Sequence, residues 1–364
     1  MTKKNICILF GGKSGEHEVS IRSASSVVQE LDESKYNKIL IAIDKTGRWF
    51  FQPEAENILK QKGCLDIKTK KENIVSLIPS DGFYVSGKKL DIDFVFPVLH
   101  GTFGEDGTVQ GLLELMELPY AGAGVLGSSV GMDKEIIKKI WLHEGLATVP
   151  FASLNTEQIE DNEFKLDDFI KTIEEDFGYP LFIKPVRAGS SVGISKVENK
   201  EQFNKAIPKA FKFDNKLMIE PAVDAREIEC SVIGNMSAKA YAPGEIAPTH
   251  SFYDYEAKYI DENGAALIIP ADIDEVLKEK VKETAVKAYT SAGVEGMARV
   301  DFFLDKQTGK LLLNEVNTIP GFTNISMFSK LCEADGLPYS RMLDKLIELG
   351  EKRFTTRSEL DFNL

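Results

Sequence analysis

Short apolar runs alternate with amphipathic stretches in the first third of the chain. Residues 5–10, 38–44 and 93–99 are mostly apolar, and polar or glycine residues follow each run, which predicts buried strands of a parallel sheet. After the first run, apolar side chains recur at helical spacing at Ala24, Val27, Val28 and Leu31. A strand, a glycine turn and a helix in that order predict a doubly wound α/β domain, with ligands at the strand ends.

The pattern changes further along the chain. Residues 50–92 have no clear period and are expected to be irregular. Apolar residues at helical spacing predict helices at 129–144, 162–177, 272–292 and 339–352, and apolar runs predict strands at 181–185, 195–197, 227–234 and 238–242. Two apolar runs flank a Gln-Thr-Gly turn between residues 299 and 317, which predicts a β-hairpin. These elements together indicate a mixed α/β protein.

Composition narrows the class of protein. A chain of 364 residues is too long for one ordinary core, so two or three domains are expected. The net charge of −13 argues against a nucleic-acid partner. No apolar run approaches the ~20 residues that span a bilayer, and the N-terminus lacks the apolar core of a signal peptide. Four scattered cysteines fit a reducing cytoplasm, so a cytoplasmic protein is expected.

The predicted hairpin carries the strongest candidate chemistry. Asp301 lies in its first strand, and Glu315 and Asn317 lie two residues apart on its second, so their side chains share one face. Two carboxylates and an amide oxygen are ligands suited to Mg²⁺. Arg299 lies on the same face as Asp301, which adds a group for phosphate. The alternative is a surface salt bridge, although charges that interrupt apolar strands are costly without partners.

Four glycine-rich segments are further candidates. Glu16 and His100 each follow a predicted strand in the first domain, where a helix cap or a loop hydrogen bond is the alternative to a ligand site. Residues 187–194 form a small-residue loop beside Lys184, and such loops either contact phosphate or are only turns. Residues 122–127 match G-x-G-x-x-G, but no long strand precedes them. We interpret them as an interdomain turn, and dinucleotide binding is the alternative.

These motifs together resemble a known family. Gly-Gly-Lys-Ser-Gly-Glu-His-Glu-Val-Ser at 11–20, His-Gly-Thr-Phe-Gly-Glu-Asp-Gly at 100–107, and Glu-Val-Asn-Thr-Ile-Pro-Gly at 315–321 are similar to segments of the ATP-grasp ligases, and most of all of the D-alanine–D-alanine ligases. The resemblance covers nearly the whole chain. It implies an ATP-grasp fold of three domains at 1–125, 126–219 and 220–364, of which the first is Rossmann-like.

The resemblance also implies roles for individual residues. Glu16 would hold the ammonium of the first D-alanine, with His100 beside its carboxylate, and Ser326 and Met327 would hold the second D-alanine. A network of Glu16, Ser190 and Tyr259, with an oxyanion hole of Arg299 and Gly321, would act in catalysis. The implied ATP-binding residues are Lys134, Lys184, Ser191, Glu220, Ala222, Val223, Glu227 and, on a mobile loop, Lys258.

The activity implied by the resemblance is the formation of D-alanyl-D-alanine for peptidoglycan precursors. ATP would phosphorylate the first D-alanine, and Asp301, Glu315 and Asn317 would hold two Mg²⁺ or Mn²⁺ ions. A homodimer is expected. D-Lactate or D-serine as the second substrate is an alternative, although Tyr259 favours the dipeptide. An oxidoreductase and a non-catalytic amino-acid-binding protein are the rival classes, and ADP release that depends on D-alanine would separate the ligase from both.

Overall fold

Four β-sheets organise the part of the chain that this computed structural model describes, residues 2–248 and 265–361. The first sheet has the strand order β3-β2-β1-β7, in which β1 pairs in parallel with both β2 and β7. Its strands are β1 (Lys4–Gly11), β2 (Tyr36–Ile43), β3 (Trp49–Phe51) and β7 (Phe94–Val98). Helix α1 (His17–Glu30) follows β1, as the apolar spacing predicted. The carboxyl ends of β1 and β7 therefore lie side by side, which brings the segments that contain Glu16 and His100 together.

The expectation that residues 50–92 are irregular is wrong. This segment contains α2 (Ala55–Lys62), a 3₁₀ turn, and a three-stranded sheet of β4 (Val75–Ile78), β5 (Gly82–Val85) and β6 (Lys88–Lys89). The strands have two to four residues, too few to show a period. Val75 and Phe83 are nevertheless buried against the first sheet's core, and this tertiary packing explains the order.

The middle sheet is antiparallel, with the strand order β10-β9-β11-β8. Its strands are β8 (Ala152–Asn155), β9 (Leu181–Pro185), β10 (Ser195–Val197) and β11 (Lys216–Pro221), and its helices are α6 (Thr156–Glu160), α7 (Leu166–Phe177) and α8 (Lys200–Ala210). Strands β9 and β10 match the predicted ranges 181–185 and 195–197. The predicted domain boundary between residues 219 and 220 falls inside β11, and the domain division stays a prediction.

One helix predicted over residues 129–144 is two helices in the structure. Helix α3 (Thr108–Leu115) is followed by α4 (Val125–Met132) and then by α5 (Lys134–His143). Asp133 separates α4 from α5 with an extended backbone, and its carboxylate accepts hydrogen bonds from the N–H groups of Glu135 and Ile136. This N-cap satisfies donors that a continuous helix would have used internally, so it starts a new helix at Lys134.

The largest sheet has the order β15-β14-β12-β16-β17, with β13 also paired to β12. Its strands are β12 (Ala225–Gly234), β13 (Lys239–Ala240), β14 (Gly244–Pro248), β15 (Ala265–Ile268), β16 (Gly296–Asp305) and β17 (Leu311–Asn317). Helix α9 (Glu275–Ser291) packs on one face of this sheet, together with Ile137 and Trp141 of α5. Strands β16 and β17 are antiparallel, which confirms the predicted hairpin.

The last two helices join the largest sheet to the first. Phe328 and Cys332 of α10 (Met327–Ala334) share a core with α1 and with Met342 and Leu346 of α11 (Tyr339–Ser358). Asp344 also accepts hydrogen bonds from Lys35 and Tyr36 of the first domain. In the described part of the chain, no helix is long and apolar enough to cross a membrane.

Candidate active site

A cleft of about 1130 Å³ opens where the first sheet, the loop after β9 and the largest sheet meet. Polar side chains from all three regions line it, although the regions are far apart in the sequence. The sequence-predicted site residues on its wall are Glu16, His100, Lys134, Ser190, Glu227, Arg299, Asp301, Glu315, Asn317, Gly321, Ser326 and Met327. The fold therefore brings most of the predicted set to one place.

Glu16 lies on the wall of the cleft, where Gly101 and Gly189 approach its carboxylate closely. We call these two residues the glycine frame. The side chain of Glu16 is buried, and one carboxylate oxygen accepts a short hydrogen bond from the hydroxyl of Ser190. A Cβ atom would lie 2.3 Å from Glu16 Oε2 if added to Gly101, and 2.7 Å if added to Gly189. Both positions thus need glycine, because a methyl group would collide with the carboxylate. In the described residues, no lysine or arginine forms an ion pair with Glu16.

His100 lies beside Glu16 with both ring nitrogens engaged. Nδ1 is 2.9 Å from the carbonyl oxygen of Ile319, and Nε2 is 3.0 Å from Ser23 Oγ. Since a carbonyl only accepts, Nδ1 carries the proton and Nε2 accepts from the serine hydroxyl. Burial lowers the pKa of His100, and the nearby Glu16 charge only partly opposes this, so the ring is neutral at neutral pH. The histidine fixes the 319–322 turn, because Ser23 Oγ also accepts from Phe322 N–H, at 3.2 Å.

Arg299 and Asp301, on the wall of the same cleft, form a two-pronged ion pair. The guanidinium donates to both carboxylate oxygens of Asp301, at 2.7 and 2.6 Å, and also lies 3.0 Å from Glu229 Oε2. Asn317 donates to Asp301 from its amide, at 2.9 Å. Strand register explains the cluster, since Arg299 is opposite Asn317 and Asp301 is opposite both Glu315 and Glu229.

Glu315 pairs with a lysine from α5. Lys134 Nζ lies 3.3 Å from Glu315 Oε2 and donates to the carbonyl oxygen of Ala188 at 2.9 Å. Lys134 is the first residue of α5, directly after the Asp133 cap. Its buried side chain therefore lies between the carboxylate of Glu315 and the glycine loop after β9. The cation therefore touches both regions where phosphate groups were predicted.

The glycine loop after β9 has an unusual backbone. Ser190 and Ser191 have φ angles of 49° and 59°, in the left-handed region that serine seldom adopts. Such conformations cost of order 1–3 kcal/mol each and cluster at ligand sites. The loop's Val192 N–H bonds Gly189 O at 3.0 Å, which keeps the turn tight and directs Ser190 to Glu16.

A buried charge network lies behind the cleft, between α5 and the middle sheet. The carboxylate of Glu220 forms short ion pairs with Lys138 through one oxygen and with Lys184 through the other. Burial alone would raise the pKa of Glu220, but Lys184 and Lys138 together outweigh burial, and its pKa is lowered. Burial lowers the pKa of Lys138 to about 8, so it still carries its charge at neutral pH for most of the time.

Gly321, Ser326 and Met327 lie at the start of α10. Ser326 precedes the first helical residue, and its Oγ accepts from Thr323 N–H at 3.0 Å. A Cβ on Gly321 would lie 2.7 Å from Ser326 Oγ, so glycine allows this close approach. The N–H groups at the start of a helix attract anions, which suits a carboxylate ligand.

Some predicted residues are not on the wall of this cleft. Within the described ranges, these are Lys184, Ser191, Glu220, Ala222 and Val223. Ala222 N–H donates to the carbonyl oxygen of Pro180 at 2.9 Å, which holds this segment against the middle sheet. Lys258 and Tyr259 lie outside the described residues.

The G-x-G-x-x-G segment is explained by packing. A Cβ on Gly127 would lie 2.5 Å from Gly293 O, and a Cβ on Gly296 would lie 2.8 Å from Gly122 O. Two backbone segments therefore cross here at close range. The close approach gives Gly127 a packing reason, and a φ of 92° gives Gly122 a conformational one, whereas the interdomain turn stays a prediction.

Comparison with known proteins fits this geometry. Family models described as the D-ala D-ala ligase N-terminus and C-terminus match residues 5–123 and 140–348. The chain is 50% identical over 363 residues to a D-alanine–D-alanine ligase of Treponema denticola, with 98% of each chain covered. It is 48% identical to one of a Thermoanaerobacter species, with 96% of this chain and 97% of the relative covered. The chain belongs to the D-alanine–D-alanine ligase family.

Solved structures agree with the family assignment. The D-alanine–D-alanine ligase of Coxiella burnetii is 37% identical, with a TM-score of 0.84 and coverage of 99% of this chain and 97% of that chain. VanG, a D-Ala:D-Ser ligase from Enterococcus faecalis, is 36% identical, with a TM-score of 0.83 and coverage of 96% and 100%. The fold is the ATP-grasp fold of this ligase family, which confirms the predicted fold class.

Three residues of the site were missed by sequence reasoning. Glu105 is half-buried on the cleft wall and accepts from the N–H groups of Gly101 and Ile319, at 2.8 and 3.0 Å. Burial first, and then the charge of Glu16, raise its pKa to about 8. Glu229 pairs with Arg299, and Lys138 pairs with Glu220. Glu229 had a sequence signal, a charge within an apolar strand, but Lys138 is one of several lysines on an amphipathic helix.

Proposed function

We propose that this chain joins two molecules of D-alanine to D-alanyl-D-alanine and converts ATP to ADP and phosphate. The observation that carries the proposal is the single cleft in which Glu16, in its glycine frame, shares one space with the Arg299–Asp301–Asn317 cluster. An anionic group with no lysine or arginine partner among the described residues suits a substrate ammonium. A guanidinium with carboxylates suits phosphate and metal.

In the first step, a carboxylate oxygen of D-alanine attacks the γ-phosphorus of ATP. A phosphorus–oxygen bond forms to the amino acid, the bond to the β-phosphate oxygen breaks, and ADP leaves. Glu16 binds the ammonium of this D-alanine, while Ser190 holds Glu16 in place. Arg299 neutralises charge on the transferred phosphate, and Lys134 does so from the side of the glycine loop.

In the second step, the amine of the other D-alanine attacks the acyl carbon and phosphate leaves. The ammonium of that D-alanine first loses a proton to solvent and so becomes a nucleophilic amine. Arg299 and Gly321 N–H stabilise the oxyanion of the tetrahedral intermediate, and Ser326 and Met327 N–H at the start of α10 hold the second carboxylate. His100 stays neutral and acts by fixing the 319–322 turn that carries Gly321.

The metal-type residues fit magnesium or manganese by their donor chemistry. Asp301 and Glu315 oppose each other in the strand register and, with Asn317, supply only oxygen ligands. The described residues hold no group of three or more His, Cys, Asp or Glu side chains that could bind a metal alone. Phosphate and water oxygens would therefore complete the coordination. When bound, the ions would neutralise charge between the phosphates.

ATP is proposed to lie between the middle sheet and the largest sheet. Lys134, Lys184 and Ser191 would hold its phosphates, Glu220 and the backbone of Ala222 and Val223 would hold the adenine, and Glu227 would hold the ribose. Lys258 and Tyr259 would act from the segment outside the described residues. We also propose domains at 1–125, 126–219 and 220–364, which limited proteolysis tests. A homodimer is proposed as well, which size-exclusion chromatography tests, and a cytoplasmic location, which cell fractionation tests.

The deciding experiment measures ADP release and product mass together. The purified protein is incubated with ATP, Mg²⁺ and D-alanine, alone or with an equal concentration of D-serine or D-lactate. We expect ADP release that requires D-alanine and a product with the mass of the dipeptide D-alanyl-D-alanine. ADP release independent of D-alanine would contradict the proposal. A mixed product as the main species would move the second substrate to D-serine or D-lactate.

A further inference from the structure

We propose that Lys138 is a positioning residue that holds Glu220 for the adenine ring and so sets the preference for ATP over GTP. This inference rests on the proposed function, because it assigns Glu220 to the amino group of adenine. Lys138 has no assigned contact with substrate, and its ion pair is to the carboxylate of Glu220. It acts through Glu220.

The environment of Lys138 is unusual for a lysine. Its side chain has 0% exposure, whereas Lys139, next to it on α5, has 59%. A buried ammonium is costly unless an anion pairs with it. Its ion pair is to Glu220, which has 3% exposure, and its Nζ also lies 5.9 Å from the ring centroid of Phe151. We therefore infer that the role of Lys138 is to hold the carboxylate of Glu220 in place.

Helix geometry places Lys138 one turn beyond Lys134. Residues four apart on a helix lie on one face, so α5 presents two buried lysines to the same side. Lys134 reaches Glu315 and the glycine loop, and Lys138 reaches Glu220. The helix thus spans the proposed phosphate and adenine ends of the nucleotide site.

The two lysines paired with Glu220 are expected to respond differently when nucleotide binds. Lys184 is proposed to contact phosphate, so bound nucleotide would draw it away from Glu220 Oε2. Lys138 would then be the cation that keeps the buried carboxylate ionised and fixed. A carboxylate has about four acceptor sites, so it can keep Lys138 and still accept a hydrogen bond from the adenine amino group.

This arrangement discriminates between purines. Adenine presents an amino group at the position where guanine presents a carbonyl oxygen, and an ionised carboxylate repels that oxygen. Without Lys138, burial would favour the protonated form of Glu220 once Lys184 turns to phosphate. A protonated carboxyl can donate to the guanine oxygen. Loss of Lys138 should therefore weaken ATP binding and admit GTP.

The test compares Lys138→Met with Lys139→Met, which removes the exposed neighbouring lysine. Equilibrium binding of ADP and GDP is measured first, because it does not depend on ligase activity, and then KM and kcat with ATP and GTP. We expect Lys138→Met to raise the ADP Kd and the ATP KM about tenfold, with kcat within about threefold. The ADP-to-GDP affinity ratio should fall about tenfold or more. Lys139→Met should match the wild type.

A folded Lys138→Met protein with unchanged ADP affinity and unchanged nucleotide preference would overturn the inference. If that variant does not fold, Lys138→Gln keeps a hydrogen-bond donor toward Glu220 without the charge. It should show a smaller fall in the ADP-to-GDP ratio, and an unchanged ratio would equally overturn the inference. If wild type binds ADP but releases none with D-alanine, the proposed function fails, while the binding ratio still tests Lys138.

Discussion

Two buried carboxylates in this protein are stabilised in opposite ways. Glu16 accepts a hydrogen bond from the neutral Ser190 hydroxyl and is framed by two glycines. Glu220 is held between two lysines, one on each oxygen. Among the described residues, Glu16 thus has no lysine or arginine partner, whereas the carboxylate of Glu220 already has two lysine partners.

The difference predicts what each carboxylate binds. A buried charge without a counter-ion is costly, so the site of Glu16 gains most from a ligand that brings a positive charge. A neutralised carboxylate gains little from a cation but still accepts hydrogen bonds from a neutral donor. The contrast therefore fits the proposal that Glu16 binds an ammonium group and that Glu220 binds a heterocyclic amino group.

The largest expected effect is that of Glu16→Gln. The glutamine keeps the shape and removes the charge, so kcat/KM for D-alanine should fall about 1000-fold, in the range for truncating a buried charge pair. The ATP affinity should stay within about twofold, because no proposed nucleotide contact involves Glu16. Steady-state kinetics and nucleotide titration measure both. Glu18→Gln is the matched control, since Glu18 lies two residues further on, in the first turn of α1, with its side chain 60% exposed.

The proposed roles of the two carboxylates would be contradicted if Glu16→Gln weakened nucleotide binding and left the KM for D-alanine unchanged. That result would place the nucleotide, not the amino acid, at the end of β1.

The second prediction compares the free energy of unfolding of the variants Glu220→Gln and Glu16→Gln. Glu220→Gln leaves two buried lysines without their anion, so the free energy of unfolding should fall by about 3 kcal/mol. Glu16→Gln orphans no cation among the described residues, so its effect should be below about 1 kcal/mol. Denaturant titration of both variants measures this. Equal losses of stability would show that the two sites do not differ in charge balance.

A steric test follows for the glycine frame. Gly189→Ala would place a methyl group 2.7 Å from Glu16 Oε2, so the carboxylate or the loop must shift by a fraction of an ångström. We expect kcat/KM for D-alanine to fall about 30-fold, since a 1 Å misplacement can cost about 100-fold. Gly111→Ala is the control, because its Cβ would have no neighbour within 4 Å. Unchanged kinetics in Gly189→Ala would show that the frame is not needed.

The smallest expected effect is a pH dependence through Glu105. Its pKa is raised to about 8 in the folded state, first by burial and then by Glu16. The unfolded chain loses this proton near the ordinary glutamate pKa, so it binds fewer protons than the folded chain between that value and about pH 8. Stability should therefore fall as pH rises through this window. Because Glu105 is only half-buried, solvent screens the charges that act on it, and we expect the loss to be on the order of 1 kcal/mol, well below the full value of the pKa shift.

Comparing unfolding at pH 5 and pH 8 in three proteins isolates this contribution. Glu105→Gln should lack it, and Glu16→Gln should reduce it, because the charge that acts on Glu105 is gone. A stability difference that is the same in wild type and in Glu105→Gln would contradict the assignment.

Sequence patterns correctly predicted the local backbone elements that carry the candidate site. The hairpin from β16 to β17 follows from two apolar runs around a tight turn, and strand register then places Asp301 opposite Glu315. A two-residue period fixes which side chains share a face, so Arg299, Asp301 and Asn317 meet without help from the rest of the chain. The first strand and helix of the α/β domain were predicted for the same reason. The resemblance to the ligase family added the order of the motifs.

Tertiary structure decided the rest, because the deciding contacts join distant segments. Ser190 and Glu16 are 174 residues apart, and the Gly101 and Gly189 frame exists only after the first and middle sheets meet. The spacing of lysines on α5 could not show which one is buried, since burial of Lys138 depends on a carboxylate 82 residues away. The sequence determined which chemical groups the protein carries on each strand and helix. Long-range packing determined which of those groups meet an opposite charge among the described residues, as Glu220 does, and which meet only neutral groups there, as Glu16 does.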